Sequence, residues 1–506
     1  MQADSEGSPE TDAAQQPSSR LRWGGLLLAA ILLAGLGLRT YGLHHEVAWY
    51  DELPCLTPLA APNLVTYIQE VRDFDRPMVP VYFVSAYAWS KVFGQSVYAM
   101  RLLSVLFGML TLVLLYQFTR ARYGPKAALF AAACLAVSIP HIYYSQEIRV
   151  YSLVSLLSLA SAMSFLRVLQ GGDRRWWLLH LGINALLLWT HLFAALMLVV
   201  EGLCFLAFRW REVKRWFLWG IGHAPAVIPL ALWTRQVYDD DSVNRWITPP
   251  TWGKVWGLVH YLSGTRDGEG VDTSAYMPGQ FSPALLVVLA LSGLVVYALI
   301  RSYRNGSHTQ RNAPETTAFL LAWCVLPGVL LLLLSWTYKP CLVGRYMLHC
   351  ALPFCILAGA GFSTLRSGPL RAGLLLVFPL TLYVFIAAPG AFRVDWQAGL
   401  RIFAEAGYRR DAVLATKNGY AKAIDFNANR MWPPVISRFA TTQTPDNAKE
   451  WIDDAIADGQ ACWVYVPLFP GDGGLGMFLK ERGYAHQLHV LPGNHGRTGL
   501  YHVQTE

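Results

Sequence analysis

Apolar and polar positions alternate along this chain in long blocks. Residues 1–20 are polar and rich in Ser, Pro and Gln, which predicts a disordered tail. An apolar run from Gly24 to Leu38 follows Arg20 and Arg22. Ten more apolar runs come at approximately 98–118, 127–142, 150–167, 176–190, 192–208, 217–235, 282–300, 317–336, 346–365 and 372–388. Each approaches the ~20 residues that cross a bilayer as a helix, so the pattern predicts about eleven transmembrane helices. The stretch 176–208 is long for one crossing and tight for two. Basic residues at both of its ends place both ends on one side, which predicts a turn near Trp189, Thr190 and His191. The first run also invites a signal-peptide reading, but a long acidic segment precedes it and no small-x-small cleavage site follows. It therefore reads as an uncleaved first span with the N-terminus in the cytoplasm.

An odd number of spans puts the C-terminus outside. Residues 389–506 then form an extracytoplasmic domain, and short apolar strands at Ala412–Ala415, Cys462–Val466 and Gln487–Leu491 around a helical stretch Asn447–Ala457 predict a small α/β fold. The expected division is a cytoplasmic tail at 1–22, a membrane domain at 23–388 with a long first outer loop at 40–97, and the soluble domain at 389–506. No internal repeat is evident.

Composition narrows the class. Hydrophobic residues make up 54% of the 506 residues and charged residues 15%, against about 25% charged in soluble domains. That excludes a soluble, disordered, collagen-like or disulfide-stapled protein. The net charge of +8 comes from short clusters between the apolar runs, among them Arg120, Arg122 and Lys126, and Arg209, Arg211, Lys214 and Arg215. Clusters so placed mark cytoplasmic loops, not a nucleic-acid face. The eight cysteines lack zinc spacing; Cys55 and Cys341 fall in predicted outer loops, where the compartment would permit a disulfide.

The residues that could carry chemistry fall in the outer segments. Asp51 and Glu52 follow the first span, and carboxylates at the edge of a low-dielectric slab suit general-base work, or form a solvated acid pair. The turn after the third span reads Tyr143-Tyr144-Ser145-Gln146-Glu147-Ile148-Arg149-Val150-Tyr151. Ionisable residues at that depth are costly and usually functional; the plainer reading is a Glu147–Arg149 pair closing the turn. Arg345 and Tyr346 open a late span and Arg101 opens the second. An outer-face Arg suggests an anionic ligand such as a phosphate, or a snorkelling side chain. His191 shares this side, as a site residue or an interface histidine. A metal built from His44, His45, His191 and the acids is conceivable, although no His spacing demands it.

Taken in order, Asp51-Glu52, Ser145-Gln146-Glu147-x-Arg149-x-Tyr151, Trp189-Thr190-His191 and Arg345-Tyr346 resemble the GT-C glycosyltransferases of the protein mannosyltransferase and aminoarabinose transferase type. The resemblance covers roughly 24–390. It implies a polyprenyl-phosphate-linked sugar donor, a protein, lipid or polysaccharide acceptor on the outer face, and inversion at the anomeric carbon. Asp51 would be the general base and Glu52 would help to position the acceptor. Arg149 and Arg345 would hold the donor phosphate, with Gln146 and Glu147 shaping the site and Tyr346 and His191 beside it. Relatives often carry His-Pro-Pro-Leu-Tyr-Tyr in the first loop, where this chain has Met78-Val79-Pro80-Val81-Tyr82-Phe83 after Asp75-Arg76-Pro77. Tyr82 is kept and the His is lost, so Asp75 or Arg76 is a candidate to take over part of its role. Asp395-Trp396-Gln397 resembles the Asp-Trp-Arg segment of relatives. The resemblance leaves the cofactor open, because many relatives need no metal while oligosaccharyl transferases of this fold use one.

A transporter or flippase of lipid-linked sugars is the rival class, and a noncatalytic scaffold a third. Against transport, the candidate residues collect on one side instead of at the midplane, and no halves repeat. No Gly-rich phosphate loop appears, which argues against a cytoplasmic nucleotide-sugar donor. Short loops and the lack of an ER-retention tail favour a bacterial inner membrane.

Overall fold

The apolar runs become helices because a bilayer leaves backbone N–H and C=O groups no partner but each other. The computed structural model describes residues 16–43, 48, 50–74, 78–238, 247–265, 283–304, 313–387, 412–415, 438–441, 445–457, 461–467, 475–490 and 498–504. Among these, nine helical segments are long and apolar enough to cross a membrane, and a bent pair makes a tenth.

The first helix, α1 (Gln16–Thr40), starts inside the tail that the sequence suggested was disordered. The long loop that follows is itself helical: a 3-10 turn at Tyr50–Glu52, α2 (Leu53–Leu56), a second 3-10 turn at Thr57–Ala60, α3 (Leu64–Phe74) and α4 (Val81–Phe93). Then come α5 (Val97–Tyr123), α6 (Pro125–Val137) and α7 (Ile139–Ser145). The run at 127–142 is thus not one straight span, for α6 and α7 meet at 62°, as Pro140 removes a helical N–H. Helices α8 (Tyr151–Leu169), α9 (Arg174–Leu188), α10 (Ala195–Arg209) and α11 (Val213–Tyr238) follow. The chain turns at Trp189–His191, as the basic ends of 176–208 required, although α9 has 15 residues and is short for a crossing. Last are α12 (Trp252–Leu262), α13 (Pro283–Arg304), α14 (Ala313–Thr337), a 3-10 segment Gly344–Cys350, α15 (Ala351–Thr364), α16 (Gly368–Leu374) and α17 (Val377–Ala387).

One apolar core runs through the bundle, with α15 packed on α6 and α13, and α5 on α6 and α8. Gly359 and Gly361 permit this approach, since a Cβ at either would strike the backbone of Ala127 or Leu294. Inside α8–α11 lies a polar cluster that the sequence reading passed over. Ser161 Oγ reaches Asn184 Oδ1 at 2.5 Å and Glu201 Oε1 at 2.6 Å, and Asn184 Nδ2 donates to Glu201 Oε2 at 3.0 Å and lies 3.0 Å from His223 Nε2. Trp219 Nε1–H donates to His180 Nε2 at 3.1 Å. Ser161, His180, Asn184, Glu201 and His223 are all buried. At the far end of these helices Arg209 grips Glu315 with both Nη atoms, at 2.8 and 3.0 Å, and fastens α10 to α14.

The two loop cysteines do not form the disulfide that their compartment would permit. All eight cysteines are free thiols; Cys55 lies 3.3 Å from the Tyr67 hydroxyl and Cys341 beside Ser335. Burial pushes the Cys55 thiol up to about 12, so it stays inert.

Toward the C-terminus the described residues form a five-stranded mixed sheet of β1 (Ala412–Ala415), β2 (Arg438–Thr441), β3 (Cys462–Pro467), β4 (Ala485–Val490) and β5 (Thr498–Gln504), in order β2-β1-β3-β5-β4. β1 pairs in parallel with β2 and β3, and β5 runs antiparallel to β3 and β4. Helices α18 (Pro445–Ala457) and α19 (Leu475–Glu481) pack Ile452, Ala455 and Leu479 against Cys462, Val464, Tyr501 and Val503. The α/β reading holds; β4 lies at 485–490 instead of 487–491, and β2 and β5 are strands that it lacked. Asp395, Trp396 and Gln397 lie outside the described residues.

Candidate active site

A tight turn separates the two acidic neighbours. In a 3-10 turn successive side chains point about 120° apart, so Glu52 faces inward while Asp51 faces outward. Glu52 is fully buried and accepts from Arg101 Nε at 2.9 Å, from Arg101 Nη2 at 2.7 Å and from the Ile148 N–H at 3.0 Å. Arg101 also donates to Leu43 O at 3.3 Å. This ion pair pins the first loop to α5 and to the turn before α8. Arg101 therefore neutralises Glu52 instead of standing as an outer-face anion site.

Asp51 keeps a side-chain exposure of 26%, and its Oδ2 lies 3.5 Å from Arg345 Nη1. Arg149 Nη1 donates to the Asp51 carbonyl at 2.9 Å. The two guanidiniums flank Tyr151, at 5.9 Å for Arg149 and 6.0 Å for Arg345 from its ring centroid. Above them stands an aromatic wall: Tyr346 stacks on Phe193 at 4.4 Å, and His191 lies 5.1 Å from Tyr346 and 5.6 Å from Tyr151. Burial and the nearby charges of Arg149 and Arg345 push the His191 imidazole down to about 3, so it is neutral near pH 7.

Asp51, Arg149, Arg345, Tyr346 and His191, predicted from separate stretches of sequence, thus come together. Other predicted residues hold the frame. Gln146 Nε2 donates to Leu38 O at 3.2 Å and Tyr41 O at 3.0 Å and ties the turn to the end of α1. Glu147 is buried, and its carbonyl accepts the Arg149 N–H at 2.8 Å. Tyr82 is buried with its hydroxyl 3.1 Å from Ser104 Oγ, inside the α4–α5 packing. Asp75 and Arg76 lie outside the described residues. Phe193 was missed, for one Phe in an apolar run carries no signal. Arg39 was missed as well, although an Arg closing an apolar run is a visible one.

A carboxylate beside two cations and an aromatic wall can take a proton from a hydroxyl while an anion is held next to it. Among the described residues the donor set does not fit a resident divalent cation, since Arg345 lies 3.5 Å from the Asp51 carboxylate and Arg149 bonds the Asp51 carbonyl. Among the described residues no group of three His, Cys, Asp or Glu side chains forms a metal site, and His44 and His45 lie outside them.

The sequence profile described as dolichyl-phosphate-mannose-protein mannosyltransferase matches residues 75–233. An undecaprenyl phosphate-alpha-4-amino-4-deoxy-L-arabinose arabinosyl transferase of Pseudomonas aeruginosa (strain UCBPP-PA14) is 26% identical over 362 residues, 68% of this chain and 60% of that protein. The crystal structure of ArnT from Cupriavidus metallidurans bound to undecaprenyl phosphate superposes with a TM-score of 0.52 at 10% identity, over 96% of this chain and 98% of that one. The chain has the GT-C fold and is similar to the protein mannosyltransferases and aminoarabinose transferases. The profile spans α4 to α11, and the fold match spans nearly the whole chain. The archaeal oligosaccharyltransferase AglB from Archaeoglobus fulgidus, in complex with an inhibitory peptide and a dolichol-phosphate, shares the fold at a TM-score of 0.50 and 13% identity, over 95% of this chain and 74% of that one. The chain spans about 60% of the length of the curated relatives it matches.

Proposed function

We propose that the protein is a glycosyltransferase that moves a sugar from a polyprenyl-phosphate donor to an acceptor hydroxyl, with Asp51 as general base. The observation that carries the reading is the accessible Asp51 carboxylate beside Arg345 and backed by Arg149. The donor phosphate draws the Arg345 and Arg149 guanidiniums and frees Asp51 to meet the acceptor. Asp51 takes the hydroxyl proton as the acceptor oxygen bonds to the anomeric carbon. The bond from that carbon to the phosphate oxygen breaks, and its electron pair leaves with the phosphate. Attack opposite the leaving group inverts the anomeric centre, and the two cations meet the charge that develops on the phosphate. Relatives named for undecaprenyl phosphate support this donor class and a bacterial inner membrane.

Glu52 acts as the anchor that turns Asp51 outward, not as an acceptor contact. The basic clusters at the far end of α10 support a cytoplasmic N-terminus, the site on the outer face and the C-terminal sheet outside, with the domains divided at about 22 and 388. The acceptor is a protein, lipid or polysaccharide hydroxyl. Transport requires ionisable groups along a route; the Glu201 cluster is closed upon itself and buried.

The test is incubation of the purified protein with a panel of polyprenyl-phosphate sugars and membranes that supply acceptors. Release of polyprenyl phosphate with an inverted product is expected. Movement of donor between leaflets without release overturns the reading in favour of a flippase.

A further inference from the structure

Helix α6 ends where Pro140 takes away the N–H that would have met the Ala136 carbonyl one turn back. The Ile139 N–H, next in line for the Leu135 carbonyl, goes to Gly264 O at 3.0 Å. The Ala136 carbonyl thereby loses its helical partner and the Leu135 carbonyl keeps only a 3.3 Å bond from the Ser138 N–H, and poorly met carbonyls are costly in a membrane. Arg39 fills both places. Its Nη2 donates to Leu135 O at 3.0 Å, its Nη1 to Ala136 O at 3.1 Å and to Gly35 O at 3.0 Å. Nη2 also meets His141 Nδ1, on α7, at 2.9 Å. A cation on the last carbonyls of α6 is favoured by the helix dipole. Arg39 is fully buried and has no carboxylate partner among the described residues.

The same turn of α1 holds the far end of α7. Gln146, which follows α7, donates to Leu38 O and Tyr41 O, the carbonyls flanking Arg39. Ser145 Oγ donates to His141 O at 2.6 Å, inside α7. α5 leaves room for this contact with Gly108, where a Cβ would collide with Ser145 Oγ and come within 3.4 Å of Arg39 Nε. Beyond Gln146 the chain runs directly to Ile148, bonded to Glu52, and to Arg149, bonded to the Asp51 carbonyl.

We propose that Arg39 is a positioning residue: by capping the broken end of α6 and gripping α7 through His141, it sets the angle at which α7 delivers Arg149 to the phosphate site. The inference rests on the proposed donor-phosphate role of Arg149 and deepens it. A planar guanidinium suits the place because it serves several acceptors in fixed directions at once. A Lys ammonium meets the two α6 carbonyls but does not bridge to His141 as well.

The experiment compares full-length wild type, Arg39→Met, Arg39→Lys and Gly108→Ala in detergent, with two readouts. Amide hydrogen exchange of 138–150 tests the grip on α7 without any appeal to activity. Binding of undecaprenyl phosphate tests its consequence. Arg39→Met is expected to speed exchange in 138–150 while α8 and α10 stay as in wild type, and to weaken binding about tenfold or more, as small misplacements do. Arg39→Lys falls between the two. Gly108→Ala keeps the guanidinium yet displaces Ser145, so it gives the same local exchange and binding defect and serves where Arg39→Met fails to fold. Unchanged exchange in 138–150, or a rise spread evenly over all helices, overturns the proposal. Local exchange changes in a protein whose wild type binds no undecaprenyl phosphate support the Arg39 grip and refute the donor reading instead.

Discussion

Two charged clusters in this bundle share residue types and differ in every other respect. Around Asp51 a carboxylate and two guanidiniums stand beside an aromatic wall, and 26% of the Asp51 side chain is open. Around Glu201 a carboxylate, two histidines and an asparagine are sealed among four helices, and both Glu201 oxygens are engaged by Ser161 and Asn184. The first cluster keeps one carboxylate partly open; the second satisfies itself. Ionisable groups in a membrane bundle thus divide into those closed upon each other and those left partly open, where the proposed ligand would meet them. Glu52 shows both kinds side by side, for it is closed on Arg101 while its neighbour Asp51 is open.

The sharpest way to break the contrast is Glu52→Ala. It strands the Arg101 charge inside the bundle, and loss of one partner of a buried pair costs about 3–5 kcal/mol. Thermal unfolding in detergent should show the largest drop of any single change here, and turnover per folded molecule should fall as well, because Glu52 anchors the turn that presents Asp51. Arg345→Ala works the other way. Turnover is expected to fall about 10²–10³-fold, the scale for removing one preorganised charge or donor from a transition state, with little change in thermal stability. Glu201→Leu should cost about 1–3 kcal/mol in stability, because Asn184 and Ser161 each lose an acceptor. Its turnover per folded molecule should match wild type, and a selective loss of turnover would erase the distinction between the clusters.

The smallest effect concerns pH. The folded imidazole of His191 titrates at about 3, below the unfolded value of about 6.5. As pH falls from about 6.5 toward 3 the unfolded chain gains a proton that the folded chain refuses, so this group lowers stability in acid and not above pH 7. The stability of wild type relative to His191→Gln should therefore decline over that interval in acid unfolding curves, while the pH dependence of turnover between pH 5 and 8 keeps the same limbs in both proteins.

Much of the architecture was readable because hydrophobic blocks of bilayer length leave few alternatives. The turn at Trp189–His191 followed from charges at the ends of 176–208, Arg345 stood out as a cation that the positive-inside pattern did not explain, and Arg149 stood out in the dense polar turn after the third span. The break between α6 and α7 was hidden, since Pro140 sits in a run whose average hydropathy fits one span, and the Arg39 that makes the break tolerable lies about a hundred residues away. The resemblance implied that Gln146 shapes the site but not how; its amide turns back to α1, a direction that sequence adjacency does not give. The Glu201 cluster was invisible for a related reason. Its members are scattered over four helices, with only His180 and Asn184 sharing one, and only the packing brings them together. The strands β2 and β5 were missed because each carries too few apolar positions to stand out from a loop.

The account stands or falls on Asp51. Asp51→Asn keeps the shape of the side chain and its place beside Arg345 but removes the base. The decisive measurement is release of polyprenyl phosphate by this variant in the presence of acceptor, taken beside its binding of undecaprenyl phosphate. The account predicts binding close to wild type and release reduced at least about a hundredfold. Release at the wild-type rate would contradict it and remove Asp51 from the chemistry.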